Sequence, residues 1–352
     1  MGDGRPDMPY RRAPAPARPA PNAPSRGGSR GESRHYAALD LGTNNCRLLI
    51  ARPQGANFAV VDAFSRIVRL GEGLAATNRL SDDAIERTIA ALRVCADKLR
   101  RRNVWLARSV ATEACRRAEN GPDFIARAYA ETGIHLDVIS AEEEARLAVL
   151  GCHALLEPGD GPALVFDIGG GSTELVLIDT APAVPRVVDW HSAPWGVVSL
   201  TEHAASGGGN GGGDGLLAVY ARMRALVAES FAPFAARLPA EGGPPRRLLG
   251  TSGTVTTLAS VHLGLDHYDR SRVDGLIVEA EAMRGISRTL SGLAIEDRAK
   301  FPCIGNERAD LVVAGCAILE TIIDLWPAER LGIADRGIRE GILRRLMGTP
   351  RP

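Results

Sequence analysis

The chain has 352 residues, 45% apolar and 24% charged, a globular balance at a length that favours two domains over one. Its 42 basic residues cancel its 42 acidic ones, so no global field steers a polyanion and any such ligand needs a local basic patch. Six scattered cysteines without Cys-x-x-Cys, zinc-finger or metalloprotease spacing read as small buried hydrophobes, not metal ligands. No apolar run is long enough to cross a bilayer and no signal-peptide core stands near the start. A cytoplasmic protein without membrane partners is therefore expected.

Residues 1–34 are rich in Pro, Arg, Ala and Gly and poor in large aliphatics, which predicts a disordered tail. The tail holds seven arginines against three acids. A solvated tail is favoured over a nucleic-acid arm, and no specific nucleic-acid partner is expected. The folded chain opens at "HYAALDLGTNNCRLLIAR", which predicts a strand over 36–41, a tight turn over 42–45 and a returning strand over 46–51. "FAVVDAFSRIVRL" continues as a third strand. Ser81 then caps a helix whose Ile85, Ile89, Leu92 and Leu99 share one face. "VWLARSVAT" predicts a strand, "PDFIARAYAETG" a helix ended by Gly133, and "HLDVIS" a short strand. "AEEEARLAVLGCHALL" predicts a helix with an acidic first turn.

The stretch "VFDIGGGSTELVLID", residues 165–179, repeats the strand, glycine turn and strand seen near residue 40. Each hairpin carries Asp-x-Gly at the end of its first strand, an internal repeat that predicts two similar α/β domains facing each other. Glycines inside a sheet imply that another body approaches the backbone closely, and a phosphate held between the two turns would be such a body. Gly169, Gly170 and Gly171 would offer backbone N–H donors, with the hydroxyls of Ser172 and Thr173. Gly42, Thr43, Asn44 and Asn45 would do the same from the opposite side. Asp40, Asp167 and Glu174 are hard oxygen ligands beside that phosphate and point to Mg²⁺; Asp40 and Asp167 as simple turn caps are the alternative. "SGGGNGGGDG", residues 206–215, lacks flanking strands and reads as a flexible loop. Neither turn is a P-loop or a dinucleotide fingerprint, because no Gly-Lys-Ser/Thr follows and each turn leads into a strand.

The pairing of "ALDLGTNNCRLLIA" with "VFDIGGGSTELVLI" resembles the actin, heat-shock chaperone and sugar-kinase superfamily. More narrowly, the chain resembles the exopolyphosphatase/guanosine pentaphosphate phosphohydrolase (Ppx/GppA) family. "RLGEGL", "VATEACRRAENG", "ISAEEEARLAVLG", "WGVVSLTE", "GTSGTVTTLA" and "ADRGIREGIL" carry that likeness in order, over residues 36–347. The resemblance implies an α/β fold of two actin-like (ribonuclease H-like) domains flanking a central cleft. It places domain I at 35–140, domain II at 141–334, and a C-terminal helix over 335–349 packing back on domain I. It implies Glu144 as the base that activates water, although spacing alone reads Glu142, Glu143 and Glu144 as first-turn charges. It further implies Glu174 as a second essential acid and Arg116 as a phosphate-facing cation. A glycine turn containing Gly250, Ser252, Gly253 and Thr254 would contact more of a long substrate.

The family often has Ser-Asn-Ser where this chain has Thr43-Asn44-Asn45, a mild polar exchange. The end near 352 is expected to make this the short, two-domain form. The resemblance implies a Mg²⁺-dependent exopolyphosphatase acting on inorganic polyphosphate, with guanosine pentaphosphate as the alternative substrate and a homodimer as an available assembly. An actin-like ATPase or sugar kinase, and a non-catalytic alarmone sensor, are the rival readings.

Overall fold

Runs of Val, Ile, Leu and Phe pair into two mixed sheets in the computed structural model, which describes residues 34–182, 185–206, 215–238 and 245–348. The tail expected over 1–34 and the loop expected over 206–215 lie outside these residues, except for Arg34, Ser206 and Gly215. The first sheet contains β1 (His35–Leu41), β2 (Asn45–Gln54), β3 (Asn57–Ile67), β4 (Val104–Ala111) and β5 (Asp137–Val138). The second contains β6 (Ala163–Ile168), β7 (Thr173–Asp179), β8 (Arg186–Ala193), β9 (Arg247–Thr251), β10 (Ile277–Glu279) and β11 (Arg330–Ala334).

The strand orders are β3-β2-β1-β4-β5 and β10-β11-β9-β6-β7-β8. In each sheet a three-stranded antiparallel meander is extended by parallel strands on its first member, β4 and β5 in one, β9 and β11 in the other. The repeat seen in one hairpin of the sequence therefore governs whole sheets. Register makes the equivalence exact to the residue: Asp40 faces Arg47 across the first hairpin, and Asp167 faces Glu174 across the second.

The helices cover the sheets with the faces that periodicity assigns them. Ser81 accepts the Ala84 N–H at the start of helix Asp82–Arg101, which buries Ile85, Ile89 and Leu92 against the first sheet. Helix Gly121–Thr132 ends at Gly133 with φ 72°, as expected. Two expected strands are shorter than their apolar runs. Only Asp137–Val138 of "HLDVIS" pairs, and β3 stops at Ile67. Beyond Ile67 the chain leaves the ladder because Val68 and Arg69 both donate their N–H to the Asn44 carbonyl, and Gly71 donates to that of Thr43.

One helix belongs to both halves. Helix Ala141–Cys152 packs Leu147 and Ala148 with Ala38, Leu49 and Ile342, while its Ala145, Val149 and Cys152 pack with Val165, Val176 and Leu249. Helix Ile338–Met347 returns the end of the chain to β1 and β2 and crosses that shared helix closely. The crossing depends on Gly341, where a Cβ would collide with the Leu147 carbonyl. Gly341→Ala is expected to lower unfolding stability by about 1–3 kcal/mol through this overpacking. Urea unfolding checks it, and an unchanged midpoint would contradict the close crossing.

Candidate active site

The two Asp-x-Gly hairpins meet at the bottom of a cleft between the sheets, lined by residues of both. A Cβ on Gly170 would sit 3.0 Å from Thr43 Cβ and 3.1 Å from the Asn44 nitrogen, and one on Gly171 only 2.7 Å from Thr43 Oγ1. The body that approaches these glycines is thus the opposite hairpin, which corrects the reading that a phosphate alone demands them. Gly42 and Gly169 each donate N–H across their own turn, to the carbonyls of Asn45 and Ser172 at 2.9 Å. The N–H groups of Thr43, Asn44, Gly170 and Gly171 donate to no other described residue, and the first three belong to residues that line the cleft.

Four carboxylates reach this floor. Asp40 and Asp167 end β1 and β6, Glu174 opens β7, and Glu144 comes from the first turn of the shared helix. Ser140 sets that turn by accepting the Glu143 N–H, and the Glu144 N–H bonds the Ser140 carbonyl. Burial raises the pKa of all four, because a buried carboxylate loses hydration. Glu144 is pushed well above the usual carboxylate range, by burial first and then by the charge of Glu174. Asp167 is raised to about 7, by burial, Glu174 and Asp40. Glu174 rises less sharply, since the hydroxyls of Ser172 and Ser192 donate to its Oε1 at 2.7 and 3.0 Å.

Arg116 holds Glu144 in place. One guanidinium nitrogen donates to Glu144 Oε2 at 2.9 Å and to the Ile139 carbonyl at 2.7 Å, and the other to Glu113 Oε2 at 2.7 Å. Burial works against the Arg116 charge, but Glu144 and Glu113 hold its pKa above the ordinary value. Arg116 is not among the residues that line the cleft, whereas Glu113 is. In this structure its guanidinium lies against the carboxylates of Glu144 and Glu113.

Other expected positions divide cleanly. Gly42, Thr43, Asn44, Asn45, Gly169, Gly170, Ser172, Ser252, Gly253 and Thr254 line the cleft. Gly171, Thr173 and Gly250 do not. The Thr173 hydroxyl is turned away, donating to the Trp195 carbonyl at 2.6 Å. Gly250 lies inside β9, not in a turn, and a Cβ there would press into the Phe166 ring. The turn itself begins at Ser252, whose φ of 92° is a conformation seldom found outside glycine. Its hydroxyl donates to the Ile168 carbonyl at 2.6 Å and ties the end of β9 to that of β6.

Sequence reasoning missed the basic wall. Arg47, Arg308, Arg336 and Arg339 line the same cleft. Arg308 donates to Thr257 Oγ1 at 2.6 Å, and Arg336 to Asp274 Oδ2 at 2.7 Å. The side chains of Arg47 and Arg339 form no hydrogen bond or ion pair with another described residue. Burial and the nearby Arg339 charge lower the Arg47 pKa. The signal was available, because aligning the two hairpins puts Arg47 at the place of Glu174. Asp40 Oδ1 and Asn44 Oδ1 are likewise buried without a partner.

Comparison with known proteins agrees with this architecture. The model of the Ppx/GppA phosphatase family matches residues 49–349. Exopolyphosphatase 2 of Mycobacterium tuberculosis is 32% identical over 326 residues, covering 89% of this chain and 98% of the relative. The crystal structure of the Aquifex aeolicus Ppx/GppA family member superposes with a TM-score of 0.72 at 28% identity, covering 91% of this chain and 99% of that one. An exopolyphosphatase structure from Cytophaga hutchinsonii shares the fold at a TM-score of 0.79 and 20% identity, over 90% and 98% of the two chains. With two matched α/β lobes, paired Asp-x-Gly hairpins and a family match over most of its length, the chain belongs to the Ppx/GppA phosphatase family.

Proposed function

We propose that the chain is an exopolyphosphatase, which transfers the terminal phosphoryl group of inorganic polyphosphate to water with Mg²⁺ as cofactor. The observation that carries this reading is the opposition of charge at equivalent positions, with Glu174 on one hairpin and unpaired Arg47 on the other. Carboxylates on one side suit an attacking water and a cation. Arginines on the other suit the phosphates that follow the terminal one. The named activity of the Mycobacterium tuberculosis relative supports polyphosphate as the substrate.

The free N–H groups of Thr43, Asn44 and Gly170 would hold the terminal phosphate between the hairpins. Glu144, oriented by Arg116 and raised in pKa by burial, would take the proton of the attacking water at Oε1 or Oε2. Glu174 keeps one oxygen on Ser172 and Ser192 and would orient the same water with the other. Contact between the lobes excludes bulk solvent from the turns, which favours in-line alignment.

The residues present fit a hard divalent cation. The orphaned oxygens of Asp40 and Asn44 lack donors, and the Asp167 side chain shows no hydrogen bond to another described residue. Among the described residues no three carboxylate, His or Cys side chains gather closely enough to hold an ion by themselves. Mg²⁺ would therefore be held by Asp40 and Asp167 and would keep several waters. When bound it neutralises charge on the transferred phosphoryl group.

Phosphate release from long-chain polyphosphate, guanosine pentaphosphate and ATP, measured in parallel with Mg²⁺, tests the assignment. The fastest release is expected from polyphosphate, and preference for the pentaphosphate would make this an alarmone phosphohydrolase instead. Glu144→Gln is expected to reduce turnover by about 10²–10⁴-fold, the contribution of a positioned general base. Polyphosphate binding by that variant, read by filter retention, should persist.

The raised pKa of Asp167 predicts a pH signature in metal-free protein. Its unfolded value is 3.8 and its folded value about 7, so between these pH values the native state binds more protons than the unfolded state. Stability from this group is therefore fully present below pH 3.8 and is lost as pH rises through 7. The melting temperature of Asp167→Asn minus that of the wild type should increase from pH 4 to pH 7 and then level off. A pH-independent difference would contradict the buried, protonated carboxyl. Added Mg²⁺ should stabilise the wild type more than this variant near pH 7.

A further inference from the structure

The segment 68–74, "VRLGEGL", leaves the first sheet and reaches the second lobe. On its own side it is bound to the first hairpin. Val68 and Arg69 donate their N–H to the Asn44 carbonyl, and Gly71 donates to Thr43. On the far side it grips the second lobe twice. Arg69 pairs with Asp310 at 3.0 Å and donates to the Glu307 carbonyl at 3.1 Å, and the Gly73 N–H donates to Glu202 Oε1 at 2.8 Å.

Two further observations give this contact direction. Arg69 has φ 49°, a left-handed conformation that Gly or Asn takes more readily than Arg. A strained backbone carrying a long cationic side chain is explained if the side chain, not the turn, is what the position needs. The two groups that Arg69 holds, Glu307 and Asp310, also bracket Arg308, whose guanidinium lines the cleft.

We infer that Arg69 is a positioning residue: its bond to 307–310 latches the two lobes together and sets Arg308 against the substrate phosphates. Closure and arginine placement thereby become one event, coupled through Asn44 to the hairpin that cradles the terminal phosphate. The placement of Arg308 on substrate rests on the polyphosphatase reading; the latch between lobes does not.

The test uses the full chain with Arg69→Ala, Asp310→Ala, the double variant, and each change in an Arg308→Ala background. With polyphosphate and Mg²⁺, each single variant should raise KM about five- to tenfold, in the range of ordinary coupling between sites, with kcat changed less than twofold. The double variant should match Arg69→Ala, because that change already removes the bonds to both Asp310 and Glu307. In the Arg308→Ala background, removing Arg69 should raise KM by a smaller factor than it does in the wild type. An unchanged KM, multiplicative effects of the two changes, or a full Arg69 effect without Arg308 would each overturn the positioning role. Small-angle scattering of the free protein reads the latch separately from catalysis. Arg69→Ala and the milder Asp310→Asn should both show a larger radius of gyration than wild type, and superimposable profiles would overturn the latch even if the wild type cleaves polyphosphate. If the wild type cleaves no phosphoanhydride, the function falls, while the scattering comparison still decides the latch.

Discussion

Two backbone turns pressed against each other organise this molecule. Gly170 and Gly171 leave room for Thr43 and Asn44, and only a turn without side chains on one partner admits that contact. The strands behind each turn then converge, and the acids at their ends become neighbours although they lie more than a hundred residues apart in the chain. A Cβ on either glycine would wedge the hairpins open and separate Asp40 from Asp167. The helix Ala141–Cys152 is subject to the same geometry, since it packs on both sheets at once and delivers Glu144 to the seam.

The electrostatic cost of this arrangement is large and local. Four carboxylates with raised pKa values and an unpaired, half-buried arginine would each be more stable in water. Proteins hold such groups where ligands of opposite charge complete them. A cation on the acidic side and phosphates on the basic side would relieve both strains together. Ser172, Ser192 and Arg116 show what internal compensation looks like, because each binds one oxygen of an acid and leaves the rest of the carboxylate for other partners.

Much of this was legible in the sequence. The strand–glycine turn–strand repeat foretold two similar sheets, and the helix expected at "AEEEARLAVLGCHALL", with its acidic first turn, placed Glu144 on a helix start. What periodicity could not show is contact between segments distant in the chain. The glycines of residues 169–171 signalled a close neighbour without identifying it, and that neighbour is the other hairpin. The resemblance implied Arg116 as a phosphate-facing cation, and the ion pairs it forms with Glu144 and Glu113 are contacts that sequence alone does not show. Gly250 read as a turn because Gly-Thr-Ser-Gly resembles one, yet the ladder with β6 extends through Thr251. Arg47 was hidden in an apolar strand, and only alignment of the two repeats exposes it.

The most direct measurement is hydrolysis of polyphosphate in H₂¹⁸O with Mg²⁺, following the label by ³¹P NMR and mass spectrometry. Attack by water on a terminal phosphorus held between the hairpins predicts one ¹⁸O atom in each released phosphate and none in the shortened chain. Label in the shortened chain, or release that requires an acceptor other than water, would contradict the account.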